Sequence, residues 1–252
     1  RWAQVQGRLF SHPAAALVDD GEGGLREGFF FAAADPQGSA YLHFIGGFSS
    51  GAFSVARRGR FPFSVPEGLI LQPSAGDVDG DGSDEMVIPV PGEGMVFWSP
   101  ATGRISVYGA SEDISPASLE DIDGDGVLDT SFRGREHLYQ LTGMGVSVAG
   151  WPVGLDPVVI KLEEVVENYA QPLISDVDDD GVCEILFNIA GGVNAYEYGG
   201  IENRSWIVPG AGLGAETPAV FSGGRGDLML ITSGRGSIAG PGYDYAAGPA
   251  PV

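Results

Sequence analysis

Three segments of this chain place carboxylates at relative positions 1, 3, 5 and 9. They are Asp77, Asp79, Asp81 and Glu85; Asp121, Asp123, Asp125 and Asp129; and Asp176, Asp178, Asp180 and Glu184. Acids packed this closely repel one another unless a cation sits among them. Alternate carboxylates at 1, 3 and 5 converge on one point only if the chain curls into a tight loop, and the glycine at position 6 (Gly82, Gly126, Gly181) permits that turn. Position 7 varies among Ser83, Val127 and Val182, which suits a ligand supplied by its backbone carbonyl. The donors are all hard oxygens, with no His ligand and no thiolate ligand in the pattern. Ca²⁺ is therefore the expected ion, one per loop and three in all; zinc matches poorly, and magnesium prefers to keep waters in a strict octahedron. One such segment would also read as an acidic turn, because Asp-Gly is a common turn dipeptide. Three in register exclude that reading. The loop is not an EF-hand either, since its last acid stands at position 9 instead of 12 and short apolar runs follow it in place of a long helix.

Other chemistry would need an acid, a base or a nucleophile outside these loops. His12, His43 and His137 are far apart in sequence and in no ligand spacing, so each reads as a surface or packing residue. Arg133, Arg135, His137 and Tyr139 form the most polar strand pair; they could line a mouth for an acidic sugar or carboxylate, but a blade edge ion-paired to Glu136 is the favoured reading. Cys183 at position 8 of the third loop has acids and no base beside it, which favours the thiol and a structural role. The clustered carboxylates do not resemble a glycosidase pair, which needs two isolated groups with separated pKa values. Gly46-Gly47 and Gly223-Gly224 lack the strand, helix and Lys of a phosphate loop. Arg225-Gly226-Asp227 and the sequon Asn203-Arg204-Ser205 are short enough to arise by chance.

The elements that must hold these loops are short strands. An apolar approach such as Leu173-Ile174-Ser175 enters a loop, and a β-like run leaves it: Met86 to Val90, Thr130 to Arg133, Ile185 to Ile189. Further short runs bounded by Gly and Pro follow, giving four strands per unit. The loops recur at intervals of about 45 to 55 residues, the length of a propeller blade. Two weaker units flank them: one around Asp19 to Glu27, with acids kept only at positions 1 and 9, and one after Pro218 to Phe221, where Ser222 to Gly226 retains no ligand set. No ion is expected in either. The only helix expected lies in the excursion Val158 to Tyr169, which carries the single lysine, Lys161, and ranks first as a recognition surface, ahead of Arg225-Gly226-Asp227. Trp98, Tyr108, Trp151, Tyr169, Tyr196, Tyr198 and Trp206 should pack mainly between blades, with sugar stacking at a rim as the alternative.

With these residues in view, the chain resembles the FG-GAP or VCBS repeat family, the calcium-loop propellers that include the integrin alpha head domain and many bacterial exported proteins. The family's Asp-x-Asp-x-Asp-Gly-x-x-Asp/Glu loop is met at Asp77 to Glu85, Asp121 to Asp129 and Asp176 to Glu184, and Gly150-Trp151-Pro152-Val153, with an echo at Arg60-Phe61-Pro62-Phe63, resembles the end of the bacterial repeat. The resemblance covers about residues 12 to 235 and implies an all-β fold, a β-propeller of four-stranded blades. Five units are detectable, at about 12-67, 68-115, 116-167, 168-213 and 214-252, so residues 1-252 form a single propeller domain or a fragment of a larger ring. Trp2 to Phe10 is a candidate outer strand for the last blade.

Composition bounds the function. The 41 Gly and 17 Pro among 252 residues suit many turns, and 43% hydrophobic content argues against disorder. Thirteen basic against 34 acidic residues give a net charge of −21, which excludes nucleic acid as a partner. No apolar stretch approaches a membrane span, so direct membrane insertion is not expected. One cysteine allows no internal disulfide, leaving bound metal as the staple for an extracellular, cell-surface or periplasmic protein. The expected function is a calcium-stabilised binding or adhesion domain without catalysis, meeting a protein or glycan at a propeller rim. The alternatives are a structural subunit of a larger surface assembly, with a second chain completing the ring, and a carbohydrate-active enzyme domain.

Overall fold

Each complete Asp-rich loop joins a three-residue strand to a fully buried strand of five or six residues. In chain order these pairs are β6 (Ser74–Gly76) with β7 (Glu85–Val90), β10 (Ser118–Glu120) with β11 (Asp129–Arg133), and β15 (Leu173–Ser175) with β16 (Glu184–Ile189). The computed structural model describes residues 7–49, 52–65, 67–157, 160, 169–177, 180–189, 192–207, 219–222, 228–232 and 237–239.

All the sheets are antiparallel and largely follow the chain. The first contains β1 (Arg8–Leu9), β2 (Ala14–Asp19), β3 (Leu25–Ala34), β4 (Ala40–Ser49) and β5 (Ala52–Arg60), and is the exception in that β1 and β2 both pair with β3. The second runs β6, β7, β8 (Gly94–Trp98), β9 (Ile105–Gly109). In the third, β10, β11 and β12 (His137–Thr142) are followed by two short strands, β13 (Val146–Ser147) and β14 (Val153–Gly154), which share the edge of β12. The fourth runs β15, β16, β17 (Gly192–Tyr196), β18 (Glu202–Ile207). A three-stranded sheet, β19 (Ala219–Ser222), β20 (Leu228–Thr232) and β21 (Ser237–Ala239), comes last. Repeated four- and five-stranded sheets of this kind are propeller-like, and none of them closes on itself as a barrel. Arg8–Leu9 pairs with Ala33–Ala34 of the first sheet and not with the last sheet, where the sequence suggested that Trp2 to Phe10 would lie; residues 1–6 are outside the described residues. Arg8–Leu9 is held there by the backbone at Leu71, whose N–H donates to Phe10 O and whose carbonyl accepts from His12 N, each at 2.8 Å.

The core lies between successive sheets. Phe30, Leu42 and Phe44 of the first sheet pack on Met86, Ile88, Val96 and Trp98 of the second. Val87, Met95 and Phe97 on the other face of the second sheet pack on Phe132, Tyr139 and Leu141 of the third. Leu138 and Trp151 of the third unit meet Ile185, Phe187 and Tyr196 of the fourth. A strand between two sheets favours apolar residues on both faces, and β7 accordingly reads as a continuous run, Met-Val-Ile, instead of an alternation, whereas β11 buries Thr130, Ser131 and Arg133. Burying each of these large side chains stabilises the stack by about 1.5–3 kcal/mol. Trp98, Trp151, Tyr169 and Tyr196 are buried, in accord with the packing reading of the aromatics.

The short strands that begin each unit also stand side by side. Ser74 Oγ donates to Ala117 O at 2.6 Å, and Ser118 Oγ donates to Pro172 O. These serines join the start of the second sheet to the third and the third to the fourth. At the repeat end, Gly150 takes a left-handed φ of +92° and passes so close to Gly199 that a side chain would collide with its carbonyl. Trp151 Nε1 then donates to Tyr198 O at 2.8 Å, so the Gly-Trp-Pro phrase is a seam between the third and fourth sheets.

Candidate metal centres

The three complete loops share one hydrogen-bond frame. The position 1 carboxylate accepts the position 6 N–H: Gly82 to Asp77 at 2.8 Å, Gly126 to Asp121 at 2.9 Å, Gly181 to Asp176 at 2.9 Å. The position 5 carboxylate accepts the position 7 N–H at 2.8 Å each time, from Ser83 to Asp81, Val127 to Asp125 and Val182 to Asp180. The position 9 acid is buried at the start of its strand and accepts the position 2 N–H: Val78 to Glu85, Ile122 to Asp129 and Val177 to Glu184. In the first two complete loops the glycine at position 4 is left-handed like the one at position 6, with φ of +77° and +86° at Gly80 and Gly82 and +75° and +89° at Gly124 and Gly126; the third loop carries Asp179 at position 4.

In the first complete loop, carboxylate oxygens of Asp77, Asp79 and Glu85 lie within 4.8 Å of one another; in the second, those of Asp121, Asp123 and Asp125 do. Asp81 and Asp129 stand outside these tightest groups, each with one oxygen on a loop N–H. In the third loop Asp178 and Asp179 lie outside the described residues, while Asp176, Asp180, Val182 and Glu184 keep the shared frame.

The donor chemistry fits a hard cation. Asp79 Oδ1, Glu85 Oε1 and Asp121 Oδ1 are buried oxygens that no protein donor reaches, and a buried carboxylate oxygen left so is costly unless a cation or proton meets it. Burial, then the charge of Asp79, pushes Glu85 from an ordinary 4.5 up to about 8; burial likewise pushes Asp129 up to about 6. Calcium would supply the missing positive charge, and the residues to hold it are Asp77, Asp79, Asp81, Glu85 and the Ser83 carbonyl, with Asp121, Asp123, Asp125, Asp129 and the Val127 carbonyl in the second loop.

The same carboxyls dictate how the metal-stripped protein responds to pH. The folded state holds on Glu85 a proton that the unfolded chain releases near 4.5, so the stability from this group is full below about 4.5 and is lost as pH rises through about 8. Asp129 acts in the same direction between 3.8 and about 6. The urea midpoint of metal-stripped protein should therefore fall from pH 5 to pH 8, and saturating calcium should flatten that fall by replacing the proton. A midpoint that rises over this interval in stripped protein would contradict the assignment.

Position 8 carries a role that residue types alone did not reveal: it docks the loop on the preceding unit. Asp84 exchanges two bonds with Leu17 of β2, its N–H donating to Leu17 O at 2.7 Å and its Oδ2 accepting from Leu17 N at 2.7 Å. Leu128 N donates to Asp77 O at 3.1 Å, so the second loop rests on the first. Cys183 holds the same position in the third loop; burial, then Glu120, pushes its thiol upward, in keeping with a structural residue.

The first, weaker unit is built differently from its expected alignment. Asp19 pairs with Leu25 across a tight hairpin, and Glu27 lies opposite Leu17 well along the strands, so these two acids do not stand at positions 1 and 9 of one loop. Asp20 turns the hairpin, accepting N–H groups of Glu22 and Gly24 and pairing with Arg26 at 2.7 Å, while Arg57 donates to its carbonyl. These contacts, that with Glu22 foremost, lower the Asp20 pKa.

The proposed anion-binding mouth is not assembled. Arg133 is fully buried: its guanidinium donates to Asn188 O in the fourth sheet and lies 4.7 Å from the Tyr169 ring. Tyr169, at the end of the Val158 to Tyr169 excursion, is buried; residues 158–159 and 161–168 lie outside the described residues, as does Arg225-Gly226-Asp227. His137 and Tyr139 both bond Glu112 Oε1, His137 Nδ1 at 3.1 Å, and Glu136 N donates to Glu112 Oε2 at 2.6 Å. The acid partner is therefore Glu112, from the connection before the third sheet, and not Glu136. His43 stacks on Phe31 at 5.0 Å.

Residues 71–108 match the FG-GAP repeat. The match spans β6 to β9 and contains the whole first loop, so the chain is FG-GAP-like and propeller-like in its general architecture. No curated protein matches the sequence. Among solved structures it is similar to the V. cholerae biofilm matrix protein Bap1, with 14% identity and a TM-score of 0.46 over 79% of this chain and 30% of that one. It is also similar to BBS1N in its complex with ARL6DN, with 13% identity and a TM-score of 0.47 over 88% of this chain and 62% of that one. The chain thus spans less than two thirds of the length of either protein.

Proposed function

We propose that this chain is a calcium-stabilised binding domain of the β-propeller type, acting without catalysis in an extracellular, cell-surface or periplasmic setting and meeting a protein or glycan at the rim of its blades. The observation that carries this reading is the hydrogen-bond frame common to three loops, each with a buried position 9 acid. Such a frame recurs because each unit needs the same ion. Three Ca²⁺ ions are assigned, to Asp77/Asp79/Asp81/Glu85, Asp121/Asp123/Asp125/Asp129 and Asp176/Asp178/Asp180/Glu184, with the carbonyls of Ser83, Val127 and Val182 as further ligands. A single propeller domain or a part of one, over residues 1-252, is the corresponding domain assignment.

The side chains that could have done acid-base work support a binding role in preference to turnover. His137 and Tyr139 are engaged with Glu112, and Arg133 is enclosed between two sheets. A single cysteine and a charge of −21 suit a protein stapled by calcium where free calcium is plentiful. Among the described residues no helix is long and apolar enough to cross a membrane.

Native mass spectrometry in calcium tests the assignment directly. Three bound ions are expected, and two for Asp123→Ala, because each loop closes within its own unit; one ion or none in the unmodified protein would refute it. Efficient turnover on a polysaccharide panel would overturn the non-catalytic part.

A further inference from the structure

The outward face of the first sheet is arranged differently from its counterparts. In the second, third and fourth sheets the strand that leaves the loop, β7, β11 or β16, is buried along its whole length. In the first sheet the equivalent strand, β3, is buried only over its second half, and Leu25 to Phe29 are largely exposed. The register identifies which residues share this face: Leu17 stands opposite Glu27, Ala15 opposite Phe29, Phe29 opposite Ile45, Phe31 opposite His43 and His43 opposite Arg58. Leu17 is 43% and Phe29 49% exposed, whereas Phe30 and Phe44, on the other face, are fully buried against the second sheet.

The charges on this face are ordered. Asp19 and Glu27 occupy the corner near the β2–β3 hairpin, while Arg58 and Arg60 on β5 occupy the opposite corner. Arg58 lies over the Tyr41 ring at 3.2 Å, and among the described residues neither arginine has an ion-pair partner. Apolar Leu17, Phe29 and Ile45 lie between the two corners.

We propose that this face is a self-complementary docking surface for a second copy of the chain. A two-fold axis lying in the interface near Phe29 and Ile45 brings each acidic corner against the partner copy's basic corner and lays apolar centre on apolar centre, the condition for a closed symmetric dimer. The occupant is then a sheet, as between the first four sheets of this stack. Arg58 and Arg60 are an uncommon basic pair in a chain with 13 basic and 34 acidic residues, and a second copy supplies acids at the matching corner. Calcium favours the association by offsetting part of the negative charge of each copy.

Sedimentation velocity of the calcium-loaded chain at concentrations of roughly 1–200 µM tests this. A monomer-dimer equilibrium is expected, weakened by salt because the corner pairs are screened. Phe29→Asp should weaken dimerisation at least about 100-fold. Glu27→Arg and Arg58→Glu should each weaken it about tenfold, and the two together should recover most of the loss, because each copy then offers the swapped charges to the other. Calcium-dependent melting verifies that each variant is folded. A monomer at every concentration, a dimer indifferent to Phe29→Asp, or a charge swap without recovery would each overturn the proposal.

Discussion

Stripping calcium is expected to lower the melting temperature by roughly 15–30 °C, and added calcium to restore it better than magnesium does. An ion that binds only the folded loop stabilises the fold by about 2.7 kcal/mol when free calcium is a hundred times its dissociation constant. Three such sites give about 8 kcal/mol, and in a domain of this size each kcal/mol moves the midpoint by about 2–4 °C. Removal also leaves Glu85 and Asp129 buried beside other acids, both already pushed upward in pKa. Because Leu128 docks on Asp77 and Asp84 on Leu17, loosening one loop also weakens the seam to the unit before it. Magnesium should fall short because these loops offer many protein oxygens and no preference for a hydrated octahedron. Differential scanning calorimetry on protein shown to be metal-loaded at the start decides the matter. A melting curve unchanged by chelator would mean that the ions contribute nothing to the fold.

The loops were legible in the sequence because their information is local: ligand type, spacing and a turning glycine all fall within nine residues. The buried strands after them were legible for a similar reason, since Met86 to Val90 and Ile185 to Ile189 carry their apolarity in the residues themselves. What escaped was set by neighbouring units. Position 8 shows no constant chemistry, being Asp84, Leu128 and Cys183, because its task at Asp84 and Leu128 is performed largely by the backbone against another sheet. Glu27 was aligned to a ligand position on residue type alone, whereas strand register places it opposite Leu17 and away from any loop. Residue proximity in sequence points to Glu136 as the acid beside His137, whereas Glu112 reaches it through a connection before the third sheet whose path only the fold determines.

Arg133 illustrates the same limit and gives the other large effect. A charged residue in a polar-looking strand suggests a surface, yet Arg133 has no solvent exposure at all. Its guanidinium crosses from β11 to the Asn188 carbonyl on β16, its Nε faces Gly134 O, and the Tyr169 ring lies against it. These contacts tie the third sheet to the fourth where apolar packing alone would leave the Asn188 carbonyl without that donor. Replacing Arg133 by Ala removes the donors and opens a cavity, and replacing it by Met fills much of the cavity but does not restore the guanidinium donors. Arg133→Ala is expected to cost about 3–5 kcal/mol and to lower the melting temperature by roughly 10 °C; Arg133→Met should recover part of that loss. Equilibrium urea unfolding in saturating calcium measures both. The comparison also separates two roles, because a ligand-binding arginine would lose affinity at unchanged stability, whereas a buried tie between sheets loses stability first. An alanine variant as stable as the parent would return Arg133 to the surface and reopen the case for an anion-binding mouth.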